Sequence, residues 1–156
     1  MITRETFMTA VRRIRTAYNN NNFLSSSQAM GDWYRIFENC NEWSFEKAID
    51  RCMTEVYRLP VVADIMTRYE EIDERRRKDR ANFVSLWNSI CDLFPDGWKY
   101  TTDIDCTNKV KELTEFDGDY KQAHEKLEKI WHRANSYVEN TDPNKLDFKK
   151  FLGVGE

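Results

Sequence analysis

Apolar residues recur every three or four positions along the first half of the chain, which is the spacing of amphipathic helices. Polar breaks divide them into four stripes. The stripes are Phe7, Ala10, Val11, Ile14 and Tyr18; Met30, Trp33, Tyr34 and Phe37; Phe45, Ala48, Ile49, Cys52, Met53 and Val56; and Val62, Ile65, Met66, Tyr69 and Ile72. The pattern predicts a four-helix domain over residues 1–72, in which the four apolar faces pack against one another.

The second half of the chain shows the same helical spacing. Its apolar positions are Phe83, Leu86, Trp87, Ile90, Leu93 and Phe94; Val110, Leu113 and Phe116; and Tyr120, Ala123, Leu127, Ile130, Trp131, Ala134, Tyr137 and Val138. "PDGW" predicts a turn, and "KLDFKKFLG" predicts a last short helix with Gly153 past its end. Because glycine (5) and proline (3) are scarce, an all-β chain is disfavoured. We therefore predict an all-α protein, with a second helical region over residues 81–156.

Polar residues at the breaks predict where helices begin and end. Thr3 is a candidate N-cap of the first helix. Ser25 and Gln28 form a capping-box pattern before the second helix, and Ser44 is a candidate N-cap of the third. The asparagine run at residues 19–22 is expected to end the first helix, because asparagine tolerates left-handed backbone geometry.

The segment "YRLPVVADI", residues 57–65, predicts a short apolar turn between the third and fourth helices. Pro60 lacks a backbone N–H and disfavours helical geometry at Leu59, so the third helix should end near this point. We expect Leu59 and Val61 to be buried at the end of the helical core, where each would contribute about 1.5–3 kcal/mol.

Residues 73–80, "DERRRKDR", are all charged and link the two helical regions. They form either part of one long helix over about residues 62–94 or a flexible link, and the absence of glycine and proline favours the helix. The cations of this segment are Arg75, Arg76, Arg77, Lys78 and Arg80. They are either a solvated helix face, partly neutralised by neighbouring acids, or a contact for DNA phosphates or an acidic partner.

Composition narrows the class of protein. The chain has 156 residues, of which 40% are apolar, enough to bury a core. Its formal net charge of −3 gives no support for a general coating of nucleic acid. No apolar run has the length of a membrane span, and "MITRETFMTAVRR" lacks the apolar core of a secretory signal. The four cysteines form no CxxC pair, so we expect reduced, buried thiols and a cytoplasmic protein.

Motifs for metal binding are incomplete. "DGDYKQAHEKLE" begins like a calcium loop with Asp117 and Asp119, but Lys121 and Gln122 stand where an oxygen ligand and a glycine are needed. These acidic residues are more typical of caps for the following helix.

A third, least favoured hypothesis is a metal-dependent enzyme. His124, Glu128 and His132 are spaced i, i+4 and i+8, so a surface metal site is geometrically feasible, although solvated side chains are the favoured interpretation. The sequence contains no phosphate-binding loop, dinucleotide fingerprint or nucleophile motif. We expect no catalytic residues, no cofactor and no metal.

Three segments of the first half carry a resemblance: "TRETFMTAVRRIRTAYNN", "WYRIFENCNEWSFEKAIDRC" and "LPVVADIMTRYEEI". The matching residues are Ala17, Tyr18, Trp33, Tyr34, Phe37, Phe45, Ala48, Pro60, Ala63, Asp64 and Ile65. In these residues the chain resembles the bacteriophage replicative helicase loader/inhibitor family, over about residues 1–72. It departs from the family at the turn, where Phe-Pro-Pro is replaced by Leu59, Pro60 and Val61.

The resemblance implies a phage-type DNA replication adaptor in the bacterial cytoplasm. Such a protein binds the hexameric replicative helicase, inhibits or loads it, and delivers it to an origin-bound initiator, without an active site of its own. The resemblance also implies that the helicase contact lies after the four-helix domain. The expected partner-binding residues are Arg75, Arg76, Arg77, Lys78, Arg80 and Trp98. Trp98 and Trp43 fall in predicted loops, where an exposed aromatic is either a partner anchor or a cap over the core.

The alternative hypothesis is a DNA-binding replication initiator or accessory protein. In that case the cations of residues 75–80 would contact phosphates directly, and binding would weaken steeply with salt.

Overall fold

The structure, a computed structural model, describes residues 1–155, and every regular element within them is helical. The helices are α1 (Arg4–Ala17), α2 (Ser27–Phe37), α3 (Glu42–Glu55), α4 (Val62–Asp92), α5 (Ile104–Leu113), α6 (Tyr120–Glu139) and α7 (Phe148–Leu152), with short 3₁₀ turns at Gly97–Tyr100 and Pro143–Lys145. The predicted all-α fold class is confirmed. The chain divides into two compact units: the first covers Met1–Arg75, and the second begins at Arg76.

The first unit is built around the four predicted stripes. Phe37 and Phe45 pack against each other in this core, with ring centroids 5.4 Å apart, and each is at most 1% exposed. The buried apolar residues are Ile2, Phe7, Ala10, Val11, Ile14, Phe23, Phe37, Cys40, Phe45, Ala48, Ile49, Cys52 and Ile65. All but Ile2, Phe23 and Cys40, which lie beside the helices, come from α1, α2, α3 and the first part of α4, so the four helices share one core.

The second unit has a separate core that is rich in aromatic rings. Phe148, on the short helix α7, contacts Trp87, Phe94 and Tyr100 at ring-centroid distances of 5.6, 4.9 and 5.2 Å. A five-residue helix would not be stable alone, so these contacts hold it in place. Gly153 follows α7 with a positive φ of 77°, the left-handed cap that the sequence predicted.

Two of the three predicted N-caps are wrong. The Thr3 hydroxyl accepts a hydrogen bond from the Thr6 N–H, as predicted. The second helix is capped by Ser26 instead of Ser25, since Ser26 Oγ accepts from the Ala29 N–H at 3.1 Å. The third helix is capped by Asn41, which lies three residues before Ser44 and accepts its backbone N–H at 3.0 Å.

The turn between α3 and α4 is only partly buried. Pro60 is buried and Leu59 is half-buried against the core, but Val61 is 49% exposed, so its predicted burial is wrong. Val61 occupies the N-cap position of α4, where its backbone N–H donates to the Asp64 carboxylate at 2.8 Å. The hydrogen-bonded turn directs the side chain of Val61 to solvent.

Helix α4 is continuous over 31 residues, so the helical interpretation of residues 73–80 is confirmed. Trp43 lies inside α3, so its predicted place in a loop is wrong. All four cysteines are free and buried, as expected. Among residues 1–155, no helix combines the length and the apolar character that crossing a membrane requires.

Candidate partner-binding surfaces

The five cations of residues 75–80, here called the basic segment, surround α4 instead of forming a stripe. Arg75, Arg77, Lys78 and Arg80 are exposed, and Arg76 is half-buried. Successive helical residues are rotated by about 100°, so consecutive cations point in different directions around the axis. The segment therefore presents positive charge on several sides of the helix. Such an arrangement suits long-range attraction of an acidic partner better than a one-sided docking face.

A buried acid, Asp73, lies two residues before the basic segment. Asp73 is 5% exposed, and one of its carboxylate oxygens accepts a hydrogen bond from the fully buried Ser44 Oγ at 2.9 Å. The contact joins α3 to α4 within the first unit. Sequence reasoning missed this role, because Asp73 stands in an all-charged run and Ser44 follows a typical cap pattern.

Trp98 lies in the 3₁₀ turn after α4 and is 65% exposed. The Lys99 ammonium lies 5.8 Å from its ring centroid, which combines an aromatic face and a cation at one site. Trp98 therefore keeps the exposure that a partner anchor needs.

Ile104, the first residue of α5, is 74% exposed and was not anticipated, because a single apolar residue after a cap carries no periodic signal.

The residues considered for metal binding lie on α6 and just before it. Asp119 accepts hydrogen bonds from the Lys121 and Gln122 N–H groups at 3.1 and 3.2 Å, which confirms its predicted role as a helix cap. His124 Nδ1 lies 3.6 Å from a Glu128 carboxylate oxygen. His132, further along α6, is exposed. Within the part of the chain that the structure describes, no group of three or more His, Cys, Asp or Glu side chains is arranged to hold a metal ion.

The titration of the thiols is set by burial. Burial raises the pKa of Cys91 to about 12 and the pKa of Cys106 to about 11. Burial likewise raises the pKa of Cys40 and of Cys52. A thiol is nucleophilic as the thiolate, so none of the four is suited to nucleophilic catalysis near neutral pH.

The α3–α4 turn is held by charged groups. Arg58 donates two hydrogen bonds to the Asp64 carboxylate at 2.7 and 3.2 Å, and the Val61 N–H donates a third. These contacts hold the pKa of Asp64 below its usual value. Tyr18 supports the turn from α1, since its hydroxyl donates to the Val56 carbonyl at 2.6 Å.

A groove of about 230 Å³ lies between α1 and α2 in the first unit. Its lining residues are Arg4, Phe7, Met8, Ser27, Met30, Gly31 and Tyr34. We call it the α1–α2 groove. Sequence reasoning did not find it, because a groove depends on how two helices pack. The one available signal was Gly31, a glycine in the middle of a helical stripe.

No family model, curated protein or solved structure matches this chain.

Proposed function

We propose that this protein is an adaptor that binds a hexameric replicative DNA helicase in the bacterial cytoplasm, and that it inhibits or loads the helicase without catalysis of its own. The observation that supports the proposal is the position in the fold of the residues that resemble the phage loader/inhibitor family. Most of them belong to the four-helix core or to the turn that closes it, whereas Ala17 and Ala63 are exposed.

Several of these residues occupy structurally demanding positions. Phe37, Phe45, Ala48 and Ile65 are each at most 1% exposed. Asp64 organises the entry to α4 through its hydrogen bonds. A pattern that combines a buried core with a specific turn supports kinship of fold, and the function follows from that kinship by analogy.

The basic segment and Trp98 are the proposed helicase contacts. Exposed charges at the rim of a complex mainly raise the association rate and its salt sensitivity, and each contributes little alone. An exposed tryptophan supplies the type of side chain that dominates binding energy at interfaces. In this arrangement the cations attract an acidic surface of the helicase and Trp98 anchors on it.

The test is binding of the full chain to purified bacterial replicative helicase hexamers, with association and dissociation rates measured at several salt concentrations. Reversing Arg76 and Arg77 together to Glu should slow association by about 10-fold and flatten its salt dependence. The matched control reverses Lys129 and Lys145, two exposed residues outside the basic segment. Because Arg76 and Arg77 also have interactions within the chain, melting temperatures of both variants are compared.

Binding of the natural chain to none of the hexamers would overturn the proposed function. If both double variants lost the same amount of affinity, the proposal of helicase binding would stand, but the basic segment would no longer be assigned as a contact.

The alternative, direct DNA binding, is favoured by the exposure of four of the five cations. Binding of the natural chain to a labelled DNA duplex, measured in the same way, tests this alternative. Tight binding to DNA without helicase, weakening steeply between about 50 and 200 mM salt, would support this function instead.

A further inference from the structure

A cavity of about 330 Å³ lies in the second unit, between the turn that follows α4 and the loop that precedes α7. We call it the Tyr100 cavity. Its volume falls within the range of pockets that hold small ligands or single side chains. The rings and polar side chains of its lining belong to Phe94, Asp96, Tyr100, Asn144, Asp147 and Phe148.

The aromatic rings make one wall of the Tyr100 cavity apolar and rigid. Tyr100 stacks on Phe148 with ring centroids 5.2 Å apart and an interplanar angle of 22°. Phe148 in turn packs edge to face against Phe94 at 4.9 Å, and both phenylalanines are at most 4% exposed. The Lys149 ammonium lies 5.6 Å from the Tyr100 centroid, so this ring already contacts one cation. An apolar wall strengthens the attraction between opposite charges placed beside it.

Two carboxylates from different loops also line the cavity, and each has one oxygen to spare. Asp147 Oδ1 accepts the Lys150 N–H at 3.0 Å as the N-cap of α7. Asp96 Oδ1 lies 3.2 Å from the Lys99 ammonium. Among residues 1–155, neither Oδ2 atom accepts a hydrogen bond, and no cation pairs with Asp147. Both side chains are exposed, so a ligand can reach them.

The other polar groups of the lining add acceptors. Within the described chain, the Asn144 side-chain amide and the Tyr100 hydroxyl make no hydrogen bond to another residue. The lining contributed by residues 1–155 contains no lysine, arginine or histidine. A ligand that matches this cavity therefore carries positive charge and several hydrogen-bond donors, whereas an anion would be repelled by both carboxylates.

A guanidinium group has these properties. It is planar and always positively charged, and it presents five N–H donors in a fork that fits carboxylates. It is also more weakly hydrated than an ammonium group, so it loses less by leaving water for a site with an apolar wall. A lysine-type ammonium has the charge but lacks the planar fork.

We propose that the Tyr100 cavity binds a guanidinium group, carried by a free small molecule or by an arginine side chain of a peptide. Asp96 and Asp147 accept its N–H groups through their Oδ2 atoms, and Asn144 orients it through the side-chain carbonyl. The aromatic wall excludes water from one side of the ion pairs. The proposal stands apart from helicase binding, because it rests on the second unit alone.

The experiment titrates the full chain with N-acetyl-arginine amide, followed by calorimetry and by the amide chemical shifts in NMR spectra. Binding should saturate with a Kd of about 1 mM or tighter, as expected for a ligand of this size. N-acetyl-citrulline amide, an uncharged isostere, and N-acetyl-lysine amide should each bind at least about 10-fold more weakly. The shifts should concentrate at Gly97, Asn144 and Asp147.

Three substitutions of aspartate by asparagine locate the site. Asp147→Asn removes the charge but keeps a good N-cap, so the fold is retained while affinity falls by about 5- to 10-fold. Asp96→Asn should have a similar effect. Asp142→Asn is the matched control, because Asp142 also accepts a backbone N–H, that of Asn144 at 3.0 Å, but does not line the cavity. It should bind like the natural chain. Melting temperatures of all three variants check the fold.

Two further ligands distinguish the sources of the guanidinium group. Agmatine is a free small molecule without a peptide backbone, and Gly-Arg-Gly, blocked at both ends, presents arginine within a peptide. Tighter binding of agmatine than of the peptide identifies a free small molecule as the natural type of ligand. The reverse order identifies an arginine side chain. Both results support the guanidinium site.

Three results would overturn the proposal. The first is the absence of binding by N-acetyl-arginine amide at concentrations up to about 10 mM. The second is equal binding of the citrulline or the lysine compound, because the cavity would then not recognise a guanidinium group. The third is unchanged affinity in both Asp96→Asn and Asp147→Asn, which would place the bound ligand elsewhere on the chain.

Discussion

Ser44 on α3 donates a hydrogen bond to the carboxylate of Asp73 on α4, over a distance of 2.9 Å and with both side chains buried. Ser44→Ala would leave a buried carboxylate oxygen without this donor. We expect the free energy of unfolding to fall by about 1.5–3 kcal/mol, the range for hydrogen bonds to charged groups. Urea denaturation of the full chain measures the change. A loss below about 0.5 kcal/mol, typical of surface substitutions, would contradict it.

The cap of α2 can be assigned by a pair of neighbouring substitutions. Ser26→Ala removes the oxygen that accepts the Ala29 N–H and should destabilise the protein by about 1 kcal/mol. Ser25→Ala is the matched control, because Ser25 is exposed and does not cap the helix, and should change stability by less than about 0.5 kcal/mol. Thermal unfolding of both variants by circular dichroism provides the comparison. A larger loss in Ser25→Ala would reassign the cap.

Asp64 should make the stability of the protein depend on pH in a defined window. Its pKa is lowered in the folded state, chiefly by the hydrogen bonds from Arg58, whereas a free aspartate titrates near about 3.9. The stabilisation is therefore complete above about pH 4 and is lost as the pH falls through the lowered pKa. Asp64→Asn should be less stable than the natural chain at pH 7, by about 1 kcal/mol.

The measurement is urea denaturation of both proteins between pH 7 and pH 2.5. The difference between them should stay constant down to about pH 4.5 and shrink below about pH 4. A difference that grew on acidification would contradict the assigned role of Asp64.

Gly97 is required by a close approach of backbone to backbone. A Cβ added there would overlap the carbonyl group of Cys91, and that oxygen also accepts the Phe94 N–H at 3.1 Å, so it cannot move freely. Gly97→Ala should destabilise the protein by about 2–3 kcal/mol. Gly31→Ala is the comparison, since the same methyl group meets open space there and should stabilise. Denaturant titrations of the two variants should therefore shift in opposite directions.

The positions of the helices follow from the sequence because the apolar faces are long and regular. Each stripe needs burial, and only helices that pack together provide it, so local spacing and tertiary structure agree in both units. Gly153 and Asp119 were identified as a helix end and a cap for the same reason, since each lies next to a strong stripe.

The residues whose roles were predicted wrongly lie where neighbouring groups compete for the same hydrogen bond. Serine occurs at 25, 26 and 27, and only the folded turn decides which hydroxyl reaches the free N–H group. Ser44 was assigned as a cap on its local pattern, but Asn41 reaches its N–H and Asp73 takes its hydroxyl. Val61 has an apolar side chain in an apolar turn, yet a hydrogen bond from its backbone to Asp64 sets its direction.

The candidate site was harder to predict than the fold. The cations of the basic segment were visible in the sequence, but their distribution around α4 required the helix to be known. The α1–α2 groove has no linear signature apart from Gly31, since its two walls come from different helices, α1 and α2.

The middle of α4 has a consequence for digestion by proteases. Between Asp73 and Phe83 every residue is exposed or half-buried, and none of them belongs to the buried core of either unit. We expect local opening to be easier here than at buried positions, so the amides of this stretch should exchange with deuterium faster than those at Ile65 or Ile90. Trypsin, which cuts after lysine and arginine, meets five of its target residues in this stretch. Brief digestion should therefore cut the native chain first between residues 75 and 81 and release two resistant fragments, one for each core.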